Sequence, residues 1–200
     1  MQATDTYRTL ARTSEGLYKE KGSKFIGRAY PVRSEDEIKE ILEALKKEYF
    51  DARHHCYAWI LEPGGDRYRA NDGGEPNHSA GDPILGQIRS LELTNTLVVV
   101  IRYFGGTKLG VSGLIQAYKT AAAEALAANE IREEIVKKAL KLQYGYELTN
   151  EVMRLVSEFE MEVVHQEFTD RCALEVLVRK SQHPEALEKA RQILGVEVQE

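Results

Sequence analysis

The chain has 200 residues, of which 42% are hydrophobic and 30% charged, and its formal net charge is −5. This length suits one large domain or two small ones with a real hydrophobic core, and the composition is that of a globular protein. The acidic excess lies in residues 141–200, which hold 12 Asp/Glu against 7 Lys/Arg, whereas residues 1–140 hold 20 of each. The balance disfavours a protein that binds nucleic acid through bulk positive charge, so any such binding requires a local basic patch.

The two cysteines, Cys56 and Cys172, lie in different halves of the chain, which is not the pattern of a disulfide framework and suits a reducing compartment. The first residues lack a basic segment followed by an apolar core, and no apolar run approaches the length that spans a membrane. We therefore expect a cytoplasmic protein without a membrane segment. We also expect no cofactor, and a monomer rather than an oligomer.

Two strand regions, near Tyr7–Arg12 and over Leu17–Val32, open the predicted fold. A helix follows. Ser34 is a favourable N-cap and Glu37 completes a capping box, so the helix is predicted to begin there and to end near Tyr49.

A strand predicted over Ala52–Leu61 contains two adjacent histidines, His54 and His55. Because neighbouring strand residues point to opposite faces, these side chains cannot easily bind one metal ion together. We expect one of them to face the core and the other a cleft or solvent, and we predict no metal site. Cys56 is predicted to be a small buried residue rather than an activated nucleophile.

The segment Pro63–Asp82 is predicted to be a long irregular loop, and loops of this length inside compact domains are usually functional or disordered. It carries Asp72, Glu75 and His78, which fit metal ligands or general acid–base groups. The same residues also fit turn chemistry leading to a short helix that is capped at Ser79 or Asp82.

The stretch Leu97–Leu114 is the centre of the predicted architecture. Its first eight residues are apolar apart from Arg102, which is typical of a buried central strand. Two glycines end the strand. Helical spacing begins near Ser112 or Gly113 and continues to about Ala128.

Lys108 lies in the glycine-rich turn between this strand and this helix. Glycines let backbone N–H groups approach a ligand, and a helix N-terminus favours anions, so the turn predicts a phosphate or carboxylate contact. The alternative is that the glycines serve only close packing. The turn matches neither of two standard motifs. The chain has Val111 where a Walker loop requires lysine, and Leu114 where a nucleophile elbow requires glycine.

Residues 129–140 are charged and are predicted to carry the chain into a second unit. Its predicted elements are a strand over Leu142–Leu148, a helix capped by Thr149 or Asn150, strands over Met161–Phe168 and Cys172–Val178, a helix from His183 to Gly195, and a strand over Val196–Val198. The order β-α-β-β-α-β is the ferredoxin-like split pattern. The acidic surface of this unit favours a protein partner or a role as a spacer.

Four segments resemble the IMPACT/YigZ family: Gly22–Gly27, Asp51–Ala58, Asp72–Leu85 and, as the most specific, Arg102–Gly110. Together they extend the resemblance over residues 1–130. The split pattern downstream is similar to the C-terminal lobe of the bacterial members.

The resemblance implies an α+β fold with two lobes. Residues 1–135 would form an N-terminal lobe similar to the second domain of ribosomal protein S5, and residues 140–200 a ferredoxin-like lobe similar to the end lobe of elongation factor G. Both folds are common in translation factors. The eukaryotic members regulate translation under amino-acid stress with an N-terminal RWD domain, which these residues do not include.

The chain departs from the family pattern at a few positions. Gly73 stands where a second aspartate is usual, which weakens an argument for paired carboxylates or a metal. His78 replaces a small residue. Asp82 and Gln116 replace frequent basic residues, and both changes subtract positive charge near the expected anion site.

We therefore expect a translation-associated regulatory protein that binds nucleic acid or a phosphate-bearing ligand through its glycine-rich loop, with RNA, a nucleotide or a protein of the translation machinery as partner. The residues expected at the ligand site are Lys24, His54, Asp72, Glu75, Arg102, Gly105, Gly106, Lys108 and Gly110. One alternative is a hydrolase that uses Asp72, Glu75 and His54 or His55. The other is a protein-interaction module that acts through the acidic C-terminal lobe. Binding is favoured over catalysis.

Overall fold

The computed structural model describes residues 5–199, and these form two compact units. The N-terminal unit covers Tyr7–Glu134, and the C-terminal unit covers residues 135–199 together with Asp5 and Thr6. The sequence-based division placed the start of the chain in the first lobe. In the structure the N–H of Val136 donates to the carbonyl of Asp5 at 2.6 Å, which ties that start to the second unit.

The first part of the chain folds into seven strands and three helices. In chain order these are β1 (Thr6–Leu10), β2 (Ser14–Glu20), β3 (Ser23–Pro31), α1 (Glu35–Glu48), β4 (His54–Leu61), β5 (Arg67–Asn71), α2 (Gly81–Ser90), β6 (Thr96–Tyr103), α3 (Gly110–Ala127) and β7 (Ile131–Ile135).

Five of these strands form one sheet with the order β2-β3-β6-β4-β5, and every neighbouring pair is antiparallel. The prediction of a buried central strand is confirmed, because β6 lies in the middle of the sheet and its residues are buried as far as Arg102. β1 and β7 pair in a separate two-stranded sheet.

Strand alternation divides the core of this unit into two layers. Val98 and Val100 pack beneath α2 and α3, whereas Val99 and Ile101 pack on the opposite face against Ile38 and the rest of the inner stripe of α1. Since successive strand side chains point to opposite faces, the apolar run of β6 supplies both layers.

The N-terminus of α1 forms largely as its sequence predicts. The hydroxyl of Ser34 accepts a hydrogen bond from the N–H of Glu37 at 3.2 Å, and the carboxylate of Glu37 accepts from the N–H of Arg33 at 2.8 Å rather than from the cap residue itself. Acidic residues in the first turn and Lys46 and Lys47 in the last turn complement the helix dipole.

The structure corrects three predictions in this unit. The segment expected to be irregular contains β5, an exposed edge strand whose composition lacks clear apolar alternation. Neither predicted cap of α2 is used, because the helix begins at Gly81 after Ala80 without a side-chain cap from its own N-cap residue. α3 begins at Gly110, before the predicted start at residues 112–113.

The C-terminal unit contains β8 (Lys137–Tyr144), α4 (Thr149–Glu158), β9 (Glu162–Phe168), β10 (Cys172–Arg179), α5 (His183–Gln192) and β11 (Glu197–Gln199). Its antiparallel sheet has the order β11-β8-β10-β9. This is the ferredoxin-like arrangement that the element order predicted, so the α+β fold class is confirmed.

The first strand of this unit is displaced from its predicted position. β8 begins at Lys137, inside the segment expected to be a linker, and Tyr146–Leu148 forms a 3₁₀ turn instead of continuing the strand. Within residues 5–199, none of the helices combines the length and the apolar character needed to cross a membrane.

Candidate functional site

A buried ion pair joins the central strand to the loop between β5 and α2. Oε1 of Glu75 accepts hydrogen bonds from Nη1 of Arg102 at 2.5 Å and from the hydroxyl of Tyr118 on α3 at 2.7 Å. The side chains of Arg102 and Glu75 are only 7% and 5% exposed. One carboxylate therefore links sheet, loop and helix at the end of β6.

Two aromatic rings flank the guanidinium of Arg102. Its Cζ lies 5.4 Å from the ring centre of Phe25 and 5.6 Å from that of Phe104. Phe25 is fully buried and meets Tyr118 edge-on with a centroid distance of 5.1 Å, whereas Phe104 is 52% exposed. One phenylalanine thus packs the inner side of the arginine, and the other presents a ring to solvent.

Asp72 shapes the loop before α2. Its Oδ1 accepts from the N–H groups of Ala80 at 3.0 Å and Gly81 at 2.9 Å, and its Oδ2 accepts from the N–H of His78 at 2.9 Å. Burial acts to raise the pKa of Asp72, but the three backbone donors outweigh it and the pKa lies below its ordinary value. Asp72 therefore accepts hydrogen bonds from N–H groups at the N-terminus of α2, although it lies outside the helix. This is the turn and capping role, one of the alternatives that the sequence offered for this residue.

The two histidines of β4 diverge, as the strand alternation predicted. Nδ1 of His54 lies 3.0 Å from the carbonyl of Gly73, and because a carbonyl only accepts, the ring nitrogen carries the proton there. His54 is paired with Arg102 across the sheet and shares its face. His55 lies on the α1 face, where burial first and the charge of Lys46 second lower its pKa.

Cys56 is fully buried, which confirms the prediction of a small buried residue. Its thiol donates to the carbonyl of Asp72 at 3.0 Å. Burial is the largest cause that raises the pKa of this thiol to about 12. A thiol with that pKa is protonated at neutral pH and makes a poor nucleophile.

The glycines of the loop after β6 have two different roles. A Cβ on Gly105 would lie 1.9 Å from the carbonyl carbon of Gly22, so this position must be glycine for the loop to pack against the β2–β3 turn, and its N–H donates to the hydroxyl of Ser23 at 3.1 Å. Gly106 and Gly110 instead adopt positive φ angles of 89° and 71° in open space. Close packing, the alternative interpretation, accounts for Gly105 but not for the other two.

The loop leads into a helix N-terminus that lacks acidic residues. The N-cap residue of α3, Leu109, makes no side-chain capping bond, and the first turn carries no acidic residue. Lys108, immediately before it, is exposed. The first N–H groups and the positive end of the helix dipole therefore directly follow an exposed lysine in the chain.

Lys21 lies in the β2–β3 turn that packs against Gly105, and Lys24 is the second residue of β3. We call Lys21, Lys24, Phe104 and Lys108 together the loop patch. All four side chains are exposed. Across residues 5–199, no carboxylate lies within 4.0 Å of the three lysine nitrogens. Lys21 and Phe104 were not anticipated as site residues, although Phe104 lies within the motif segment Arg102–Gly110 and Lys21 directly precedes the segment Gly22–Gly27.

The structure separates the expected site residues into two groups. His54, Asp72, Glu75 and Arg102 converge beneath α2 and α3, where they bond to one another or to nearby backbone. The glycines and Lys108 lie on the surface loop, and Lys24 belongs to the opposite face of the sheet from Arg102. Arg102 was expected to supply charge to a ligand, but it forms an ion pair with Glu75 inside the protein.

The carboxylates of Asp72 and Glu75 already have hydrogen-bond partners within the protein. Asp72 accepts three backbone hydrogen bonds and Glu75 holds a buried arginine, so neither is placed as an open general base. His78 and Asp82, which both depart from the family pattern, pair with each other on the surface at 2.6 Å. Among the described residues 5–199, no three His, Cys, Asp or Glu side chains form a group that could hold a metal ion.

Comparison with known proteins places these motifs in a family. The family model described as the Impact N-terminal domain matches residues 21–126. The IMPACT family member YvyE of Bacillus subtilis is 33% identical over 147 residues, which cover 72% of this chain and 67% of that protein. The IMPACT family member YigZ of Escherichia coli is 29% identical over 150 residues, or 74% of each chain.

The fold of the whole chain also has a solved counterpart. The crystal structure of a hypothetical protein superposes with a TM-score of 0.77, covering 98% of this chain and 97% of that one at 24% sequence identity. This likeness concerns the fold alone. On the matching family model and relatives, the chain belongs to the IMPACT/YigZ family, as its four segments indicated.

Proposed function

We propose that this protein is a translation-associated regulator that binds the phosphate groups of RNA, or of another phosphate-bearing ligand, at the loop patch of its N-terminal unit. Family membership supports the link to translation, because the eukaryotic members to which the chain's motifs are similar regulate translation. A cytoplasmic location belongs to the same proposal. It is supported by the two free, buried cysteines.

The observation that carries the proposal is the exposed Lys108 beside the α3 N-terminus, whose first turn holds no acidic residue. Phosphate is bound well by backbone N–H groups at such a position, and lysine contributes to phosphate binding as a flexible point charge. Gly106 and Gly110 adopt positive φ angles that favour glycine, and neither carries a side chain that would cover this backbone. Lys21, in the turn that packs against this loop, adds positive charge, although the chain as a whole is acidic.

Phe104 favours an unpaired nucleotide over a simple phosphate ion. One side of its ring lies toward Arg102, yet the residue is 52% exposed. Proteins that bind single-stranded RNA combine a basic surface with exposed aromatic rings on which bases stack. A phosphate at the helix N-terminus and a base on Phe104 would be contacts of adjacent parts of one strand.

Binding to a labelled single-stranded oligouridylate, followed by fluorescence anisotropy at increasing salt, tests the proposal. We expect binding that weakens as salt rises, with ATP as a weaker competitor than unlabelled oligouridylate. Phe104→Ala should weaken binding, since stacking contributes about 1–3 kcal/mol per base. Phe50→Ala, at an 82% exposed phenylalanine outside the loop patch, is the matched control. Salt-independent binding, or equal loss in the two variants, would contradict the proposal.

A further inference from the structure

The C-terminal unit presents an exposed sheet edge at β9. β9 stands last in the order β11-β8-β10-β9, and within residues 5–199 it pairs only with β10. All seven of its residues are exposed. The backbone N–H and C=O groups on its outer side therefore face solvent and are able to pair with another strand.

Apolar side chains lie along this edge. Val163 is 42% exposed, Val164 55% and Phe168 55%, and the half-exposed ring of Tyr146 stacks near that of Phe168 with a centroid distance of 6.3 Å. Natural edge strands are commonly protected by lysine or proline, and β9 has neither. A shift in register that leaves Val164 unpaired opposite β10 is its one irregularity.

The surroundings of the edge are acidic. Residues 157–170 contain five Asp/Glu and no Lys or Arg. Two of these carboxylates pair with lysines from other elements, Glu162 with Lys137 at 2.5 Å and Glu158 with Lys189 at 2.5 Å. Glu167 and Asp170 are exposed, so the edge keeps negative charge next to its apolar side chains.

We propose that the outer edge of β9 binds an extended segment of a partner protein in which apolar residues alternate with Lys or Arg. Main-chain hydrogen bonds would add the segment to the sheet as a fifth strand, and the side chains of the edge would select apolar and basic residues. A second copy of this chain fits less well, because its own β9 would bring a second acidic strand to an acidic edge. RNA is disfavoured by the same charge. This inference does not depend on the loop patch, which belongs to the other unit.

The probe is an eight-residue peptide of alternating Lys and Val, added to the full chain, with a matched peptide of alternating Glu and Val. Binding is followed by anisotropy of the labelled peptide, and the bound segment is located by amide hydrogen exchange. We expect the basic peptide to bind and the acidic peptide not to bind. Amide hydrogen exchange should slow in residues 162–168 when the basic peptide is bound. Equal binding of both peptides, or protection elsewhere without protection of β9, would overturn the proposal.

Variants locate the interaction further. Val164→Lys and, independently, Glu167→Lys should each lower the affinity for the basic peptide by roughly tenfold or more, because each places like charge against the incoming strand. Met153→Lys, at a 37% exposed residue of α4, is the matched control and should change the affinity little. Equal loss in all three variants would overturn the proposal. So would a dimer of the free protein that Val164→Lys abolishes, since the occupant would then be a second copy.

Discussion

Arg102 and Glu75 stand 27 positions apart in the chain and form a hydrogen-bonded ion pair of 2.5 Å, with both side chains almost completely buried. The pair fixes the loop before α2 against the central strand at the point where the glycine-rich loop begins. Its position makes it part of the support beneath the loop patch rather than an open contact for a ligand.

Removing one partner of this pair should destabilise the protein strongly. Glu75→Gln leaves the guanidinium of Arg102 buried without a countercharge, a change that typically costs about 3–5 kcal/mol. Urea unfolding should detect the loss as a lower midpoint. Glu43→Gln, at an exposed residue of α1, is the control and should alter the free energy of unfolding by less than about 0.5 kcal/mol. Similar stability in both variants would argue against a structural role for the pair.

Asp72 should contribute a stability that disappears in acid. Its pKa in the folded protein lies below its ordinary value of 3.8, so the folded state binds this proton less readily than the unfolded state. The contribution is therefore present above about pH 4 and is lost as pH falls through the folded-state pKa. Asp72→Ala should lower the free energy of unfolding by about 1–3 kcal/mol near pH 7, since buried N–H groups lose their acceptor.

The pH dependence of the Asp72 effect separates this account from a general loss of packing. Denaturant midpoints of the parent protein and of Asp72→Ala should differ at pH 7 and converge in acid. A difference that stays constant down to pH 2 would contradict the role assigned to the carboxylate.

The fold was largely predictable because the local spacing of apolar residues indicates its main helices and strands. The apolar run of β6 and the split pattern of the C-terminal unit are of this kind. The pairing of Glu75 with Arg102 was not predictable, since it depends on where a loop returns to the sheet. β5 was missed because the sequence Arg67–Asn71 pairs along an exposed edge without apolar alternation.

The candidate site was predicted only as a set of residues. The motif segments singled out the glycine-rich loop, but they did not reveal that Arg102 is internal or that Lys21 lies in the β2–β3 turn that packs against this loop. That turn meets the loop because Gly22 and Gly105 pack against each other, a contact with no local signature.

Both cysteines should be inert in the folded protein. Cys56 and Cys172 are each fully buried, and the pKa of Cys56 is raised to about 12, chiefly by burial. We expect an aromatic disulfide reagent to leave both thiols unmodified at pH 8 and to modify both in urea. Rapid reaction of Cys56 in the native protein would contradict its placement in the core.

Two glycines of the loop should respond differently to alanine. Gly105→Ala forces a Cβ into the backbone of the β2–β3 turn, so it should displace the loop and weaken binding of the oligouridylate. Gly106→Ala meets open space but keeps a left-handed backbone angle, which costs roughly 1–2 kcal/mol. If Gly105→Ala leaves both stability and binding unchanged, the close packing of the loop is wrong.

The most direct test of the loop patch is the salt dependence of oligouridylate binding by Lys108→Ala. Because Lys108 is exposed, the variant should unfold at the same urea concentration as the parent. It should bind the oligouridylate about 1–3 kcal/mol more weakly, as expected for the loss of a charge-assisted contact. Its plot of log affinity against log salt should be shallower by about 0.7, the value for one phosphate of a single strand. Lys47→Ala, at an exposed lysine of α1, should reproduce the parent in both respects. If Lys108→Ala instead keeps the affinity and the salt slope of the parent, the glycine-rich loop is not the phosphate-binding site.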